Sequence, residues 1–142
     1  MPTRSANAQW NGGLQDGNGT MKMASGAYEG PYSFKSRFEE GDGTNPEELI
    51  AAAHAGCFSM AFSAALGKEG FNPESVKTAA KVHLTKQDAG FAITKIDLVT
   101  EGKVPNIDEA KFKEIAEAAK GGCPVSKALG GVHEITVDAK LV

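Results

Sequence analysis

Residues 44–66 read TNPEELIAAAHAGCFSMAFSAAL. From Leu49 to Leu66 almost every position is Ala, Leu, Ile, Phe, Met or Gly. Asn45 suits an N-cap, Pro46 the first helical position and Glu48 the third, a capping-box-like start. Glu47 is left over from that cap. Gly67 and Gly70 are expected to stop the helix. A helix apolar on all sides is buried on all sides. One domain of 142 residues has little material to wrap it. A second subunit is therefore expected to cover part of it. Cys57 sits at its centre, either as core filler or as a reactive group.

The length fits a single domain over residues 1–142. A chain of this size buries roughly 68–70% of its unfolded surface, so it needs neither disulfides nor metals to fold. Hydrophobic residues at 41% and charged residues at 23% argue against disorder. A net charge of -3 with no basic stripe weighs against nucleic acid and anionic membranes as partners. The opening MPTRSANAQW has no apolar signal region, and no membrane-spanning run is expected. The expected location is the cytoplasm, where two cysteines are buried small side chains or redox groups.

The first third carries short strand-like runs separated by Gly-Gly and Asp-Gly-Asn-Gly turns. YSFKSRF reads as a further strand, with Phe34 and Phe38 on one face and Lys35 and Arg37 on the other. Together these predict an antiparallel meander. After the helix, Val76, Thr78, Ala80, Val82 and Leu84 alternate along a strand. GFAITKIDLVTEGKV follows through a turn at KQDAG, and its parity changes between Ile93 and Ile96, which predicts a bulge. Asp108 caps an amphipathic helix with Phe112, Ile115 and Ala119 inward, ended by Gly121. CPVSKAL predicts a short helix with Cys123 at its N-cap, and Ile135 to Leu141 alternate in a last strand. Strands and helices without a βαβ rhythm predict an α+β fold.

Cys123, at a helix N-terminus, faces unpaired N–H groups that favour a thiolate; the alternative is an inert buried thiol. Burial of Cys57 raises its pKa, so reactivity there needs a nearby cation or base. His54 lies three residues earlier on a similar face and is a candidate base, or else a core residue. A metal site of His54, Cys57 and Cys123 lacks a paired ligand motif. His83 and His133 fall on strands as incidental side chains. Arg37 precedes an acidic, Gly-rich loop and is otherwise a surface arginine. Glu47 is otherwise a carboxylate complementing the helix dipole.

RFEEGDGTNPEELIAAAHAGCFSMAF, DAGFAITKIDL and GGCPVSKAL together resemble the OsmC/Ohr family of cysteine-based peroxidases for organic hydroperoxides. The resemblance covers essentially the whole chain and is stronger to the OsmC branch. It implies antiparallel sheets packed around a long central helix in an intertwined homodimer. It implies that Cys57 is the peroxidatic cysteine and Cys123 the resolving one. Arg37 then holds thiolate and substrate, and Glu47 orients Arg37. It further implies an organic hydroperoxide as substrate, no cofactor or metal, and a dithiol reductant such as a lipoylated protein. Physical chemistry agrees: Arg37 can supply the missing cation, a bidentate carboxylate pair can fix it, and a second thiol can resolve the sulfenic acid. Phe58 and Phe62 are candidates for an apolar substrate wall.

Glu47 and Cys57 are ten residues apart on one helix, about 15 Å at 1.5 Å per residue. Arg37 and Glu47 are therefore expected to serve the cysteines of the other subunit. The competing readings are a general thiol–disulfide oxidoreductase, a fatty-acid or lipid-peroxide binding module, and a structural dimer with inert thiols.

Overall fold

The computed structural model describes residues 1–142. The chain divides into two compact units, Met1–Leu49 and Ile50–Val142.

In the first unit, β1 (Ala6–Asn11), β2 (Asn18–Met23) and β3 (Glu29–Tyr32) form the expected antiparallel meander in that order. Trp10 and Tyr32 pack at 5.2 Å between ring centres. They close over Gly19, where an added Cβ would come within 2.7 Å of either ring. The next segment differs from the strand expected of it. Residues Phe34–Phe38 form a one-turn helix, α1. The Phe34 and Phe38 rings do share a face, 4.9 Å apart. A spacing of four places side chains together in both a strand and a helix, so it could not discriminate. The deciding signal is Ser33 and Ser36: the Ser36 N–H donates to Ser33 Oγ at 3.1 Å, and the Ser33 N–H to Ser36 Oγ at 2.8 Å. This reciprocal cap satisfies two backbone donors and starts the turn.

Helix α2 runs from Pro46 to Lys68 without a break. Asn45 Oδ1 accepts from the Glu48 N–H at 2.7 Å, as a cap should. The Glu48 carboxylate accepts from the Thr44 hydroxyl instead of the N-cap backbone. Gly67 remains helical, and the stop falls at Gly70, whose φ of +89° suits glycine.

In the second unit, β4 (Ser75–Gln87), β5 (Gly90–Lys103) and β6 (Glu134–Leu141) form a sheet in that order. The β4–β5 hairpin carries the expected bulge: pairing passes from His83 with Lys95 to Leu84 with Ile93, leaving Thr94 over. β6 pairs with β5 in parallel, so this sheet is mixed rather than antiparallel. Helices α3 (Glu109–Gly122) and α4 (Pro124–Ala128) supply the crossover that a parallel pair requires. One βαβ step was thus hidden in the sequence, because α3 and α4 read as separate short helices. His133 lies in the turn before β6 rather than on the strand.

The core of this unit packs Phe58, Phe62 and Leu66 of α2 against Ile96 and Leu98 of β5 and Phe112 of α3. Phe58 and Phe62 are fully buried, so they are core residues and not a substrate wall. The other face of α2 is bare. Ala52, Ala53, Gly56, Met60, Ala64 and Gly67 are exposed, with Met60 at 77%. By length and composition α2 could cross a membrane, contrary to expectation, and only 22% of its most apolar window is buried. Small residues, rather than large ones, make that run apolar.

Phe112 packs 4.9 Å from Phe62 and sits over Gly102 of β5, where a Cβ would lie 2.5 Å from its ring. Gly102→Ala should therefore destabilise the fold by about 1–3 kcal/mol, the usual cost of overpacking. Urea denaturation followed by circular dichroism measures this, and an unchanged midpoint would contradict the packing.

Candidate active site

Two pairs of the expected residues are assembled, one in each unit. Arg37, carried by α1, meets Glu47 in the first turn of α2. Its Nη2 donates to Glu47 Oε1 at 2.8 Å, and its Nε lies 3.3 Å from both carboxylate oxygens. The Glu47 side chain is 10% exposed and that of Arg37 37%. A carboxylate buried to that degree depends on its cation. The Arg37 guanidinium also lies 5.2 Å from the Phe38 ring centre. It borders a cleft of about 190 Å³ whose walls include Trp10, Leu14, Tyr32 and Phe34. Sequence reading did not find this cleft, because its aromatic residues come from β1, β3 and α1.

Cys57, on α2, and Cys123, at the N-cap of α4, are both free thiols. Their sulfurs are 3.1 Å apart, well beyond a bond but within reach of a shared proton. Cys57 is partly exposed and Cys123 fully buried. Burial pushes the Cys57 thiol up; the Val125 N–H opposes this, and Cys123 adds to it. Burial acts on Cys123 in the same sense. There the Ser126 N–H, the hydrogen bond with Cys57, the Ser126 hydroxyl and the Val125 N–H outweigh it, and the thiol is held below its ordinary value. These groups face the sulfur as dipoles without closing a regular side-chain cap. These surroundings favour the charged form at Cys123 more than at Cys57, although in the contact itself the Cys123 thiol donates to the Cys57 sulfur. No cation is among the groups that act on Cys57.

His54 does not pair with Cys57. Its Nε2 lies 2.7 Å from Ser126 Oγ in a buried contact, and its Nδ1 has no partner. Burial lowers its pKa, which favours the neutral ring. Ser126 was not singled out from sequence. Its place three residues after an N-cap, where capping partners sit, is the signal that could have found it. His83 Nε2 lies 2.8 Å from Asp97 Oδ2 on an exposed face. The Thr136 hydroxyl, then His83, hold the Asp97 carboxyl down to about 2. No group of three or more His, Cys, Asp or Glu side chains is arranged to hold a metal ion.

A family model described as "OsmC-like protein" matches residues 39–139. The chain belongs to this family. Peroxiredoxin OsmC of Escherichia coli is 54% identical over 135 residues, covering 94% of this chain and 93% of that protein. Organic hydroperoxide resistance protein OhrB of Bacillus subtilis is 35% identical over 100 residues, covering 69% of this chain and 71% of its own. The crystal structure of that OhrB matches with a TM-score of 0.72 at 26% identity, over 97% of this chain and 98% of its own. An OsmC-like protein from Mycoplasma pneumoniae matches the fold with a TM-score of 0.76 at 19% identity, over 99% and 98%. The OsmC-like α+β fold is thus common to this chain and its relatives, and the mixed β4–β5–β6 sheet is part of it here.

The coupled thiols give a signed expectation. Cys123→Ser should lower the pH at which Cys57 ionises, because it removes a neighbour that disfavours the charged form. Cys57→Ala should raise that of Cys123, which loses a stabilising hydrogen bond. Thiolate absorbance near the ultraviolet edge, followed against pH in each variant, reads both, and shifts of the opposite sign would refute the coupling.

Proposed function

We propose that this chain is a thiol-dependent peroxidase that reduces organic hydroperoxides to alcohols in oxidative and osmotic stress defence. The observation that carries this is the pair of free cysteines with sulfurs 3.1 Å apart in a chain of the OsmC-like family. The names of the relatives, a peroxiredoxin and hydroperoxide resistance proteins, support the same reading.

The chemistry runs in three steps. The Cys57 thiolate attacks the distal peroxide oxygen; the O–O bond breaks, the alcohol leaves, and Cys57 becomes a sulfenic acid. Cys123 then attacks the Cys57 sulfur; an S–S bond forms and hydroxide leaves with the thiol proton as water. A dithiol donor, such as a lipoylated protein, reduces the disulfide and restores both thiols. No cofactor or metal enters the cycle.

Ionising Cys57 requires a cation, and Arg37 is the one that we assign. Glu47 fixes its guanidinium, and the free edge can stabilise the thiolate and the leaving oxygen. The apolar cleft beside Arg37 would take the organic part of the substrate. Because α2 is unbroken between Glu47 and Cys57, a spacing of about 15 Å, Arg37 and Glu47 would act on the cysteines of a second copy of this chain. The same homodimer would cover the bare Ala–Gly–Met face of α2. In this reading both units of residues 1–142 serve one catalytic domain, and a cytoplasmic location suits its free thiols.

Steady-state kinetics with cumene hydroperoxide and hydrogen peroxide, recycled by dihydrolipoamide, dithiothreitol or thioredoxin, test the proposal. The expected result is faster turnover of the organic peroxide, background rates for Cys57→Ser, and a fall in kcat/KM of about tenfold for Glu47→Gln, which weakens a charge-assisted pair. Full peroxide consumption by Cys57→Ser would overturn it. Ligand binding indifferent to that substitution would favour a binding module.

A further inference from the structure

The peroxidase cycle leaves one buried polar contact unused, that between His54 and Ser126. His54 is fully buried on α2. A polar group in such a place costs stability unless its bonds are satisfied. Only one of its ring nitrogens is: Nε2, at 2.7 Å from Ser126 Oγ, while Nδ1 is unpartnered. An apolar residue would avoid that orphan nitrogen, so simple core filling does not account for a histidine here.

The placement of the contact suggests its role. His54 precedes Cys57 by three residues on α2, and Ser126 follows Cys123 by three in α4. Two bridges join the helices, sulfur to sulfur at 3.1 Å and imidazole to hydroxyl at 2.7 Å. The two bridges stand three residues apart on each segment and tie α4 to α2 side by side. Helix α4 has only five residues, Pro124–Ala128, too few to hold itself in water. The Cys123 backbone is fixed at the end of α3, where its N–H donates to the Ala119 carbonyl at 2.9 Å, while the turn that follows it depends on tertiary ties, and Ser126 makes a polar one to α2.

We propose that His54 and Ser126 are positioning residues for the resolving step, holding α4 against α2 so that the Cys123 sulfur faces Cys57. With the proton on Nε2, His54 donates to Ser126 Oγ. The Ser126 O–H is then free to point at Cys123, where the same hydroxyl favours the thiolate. The step served is Cys123 attack on the Cys57 sulfenic acid. The S–S bond forms, the S–OH bond breaks, and hydroxide leaves with the thiol proton as water. The sulfenic acid comes from the hydroperoxide, so the inference rests on the peroxidase reading. Without the tie, the sulfenic acid persists and a second hydroperoxide carries it to sulfinic acid.

Rapid mixing of reduced protein with cumene hydroperoxide separates the two phases. Sulfenic acid is trapped with dimedone, and disulfide is followed on non-reducing gels and by mass spectrometry. In Ser126→Ala we expect the sulfenic acid to form at the native rate and closure to slow by about tenfold, the kinetic equivalent of one lost buried hydrogen bond. Sulfinic acid should accumulate at Cys57. Ser126→Thr, which keeps the hydroxyl, should restore closure, and His54→Gln should close faster than His54→Ala. Native closure in Ser126→Ala, or an equal slowing of both phases, would overturn the positioning role. Failure of the unsubstituted protein to form sulfenic acid would instead remove the peroxidase reading itself.

Discussion

Desolvation of the Cys57 thiol is the constraint that organises the site. Packed on a helix of alanines, the sulfur disfavours charge, and its neighbour Cys123 adds to that penalty. The Val125 N–H is the sole opposing group in its unit, and it does not reverse the order. Cys123 has the more favourable surroundings, with N–H groups and a hydroxyl turned toward it. By these groups alone Cys123 would ionise more readily than Cys57. In the proposed cycle a fixed cation would invert that order, and the Arg37–Glu47 pair has the form of one: nearly bidentate, with its carboxylate almost buried.

The same helix explains why such a cation would come from elsewhere. α2 carries Glu47 in its first turn and Cys57 ten residues further along the chain. It also turns a face of Ala, Gly and an exposed Met60 away from its own core. Small side chains permit close approach of another helix, and their burial would stabilise an association by about 25 cal/mol per Å² of apolar surface. The proposed second copy would answer both the bare surface and the missing charge. Within a chain, the large residues Phe58, Phe62 and Leu66 anchor α2 while the small ones are left for contact.

Much of this was legible in the sequence because the signals were local. Asn45 as cap, the alternation of β4 and β6, the bulge near Thr94 and the inward face of α3 all follow from spacing that only one element satisfies. Both thiols, Arg37 and Glu47 were singled out by residue type and motif. The failures have a common cause, which is that the pattern fitted two elements or depended on distant partners. Phe34 and Phe38 suit a strand or a helix, and only the Ser33–Ser36 box separates them. The parallel pairing of β6 depends on how α3 and α4 return the chain. Phe58 and Phe62 share the apolar helix with Cys57, but their depth is set by β5 and α3. Ser126 has no meaning until α4 is laid beside His54.

Mixing two inactive variants tests the central claim most directly. Arg37→Ala and Cys57→Ser, unfolded and refolded together in equal amounts, would yield statistical heterodimers. If Arg37 serves the cysteine of the other chain, each heterodimer holds one intact site, and the mixture should recover about one quarter of native peroxidase activity. Activity that stays at the level of the separate variants would contradict the account, because it would mean that cation and thiol must belong to the same chain.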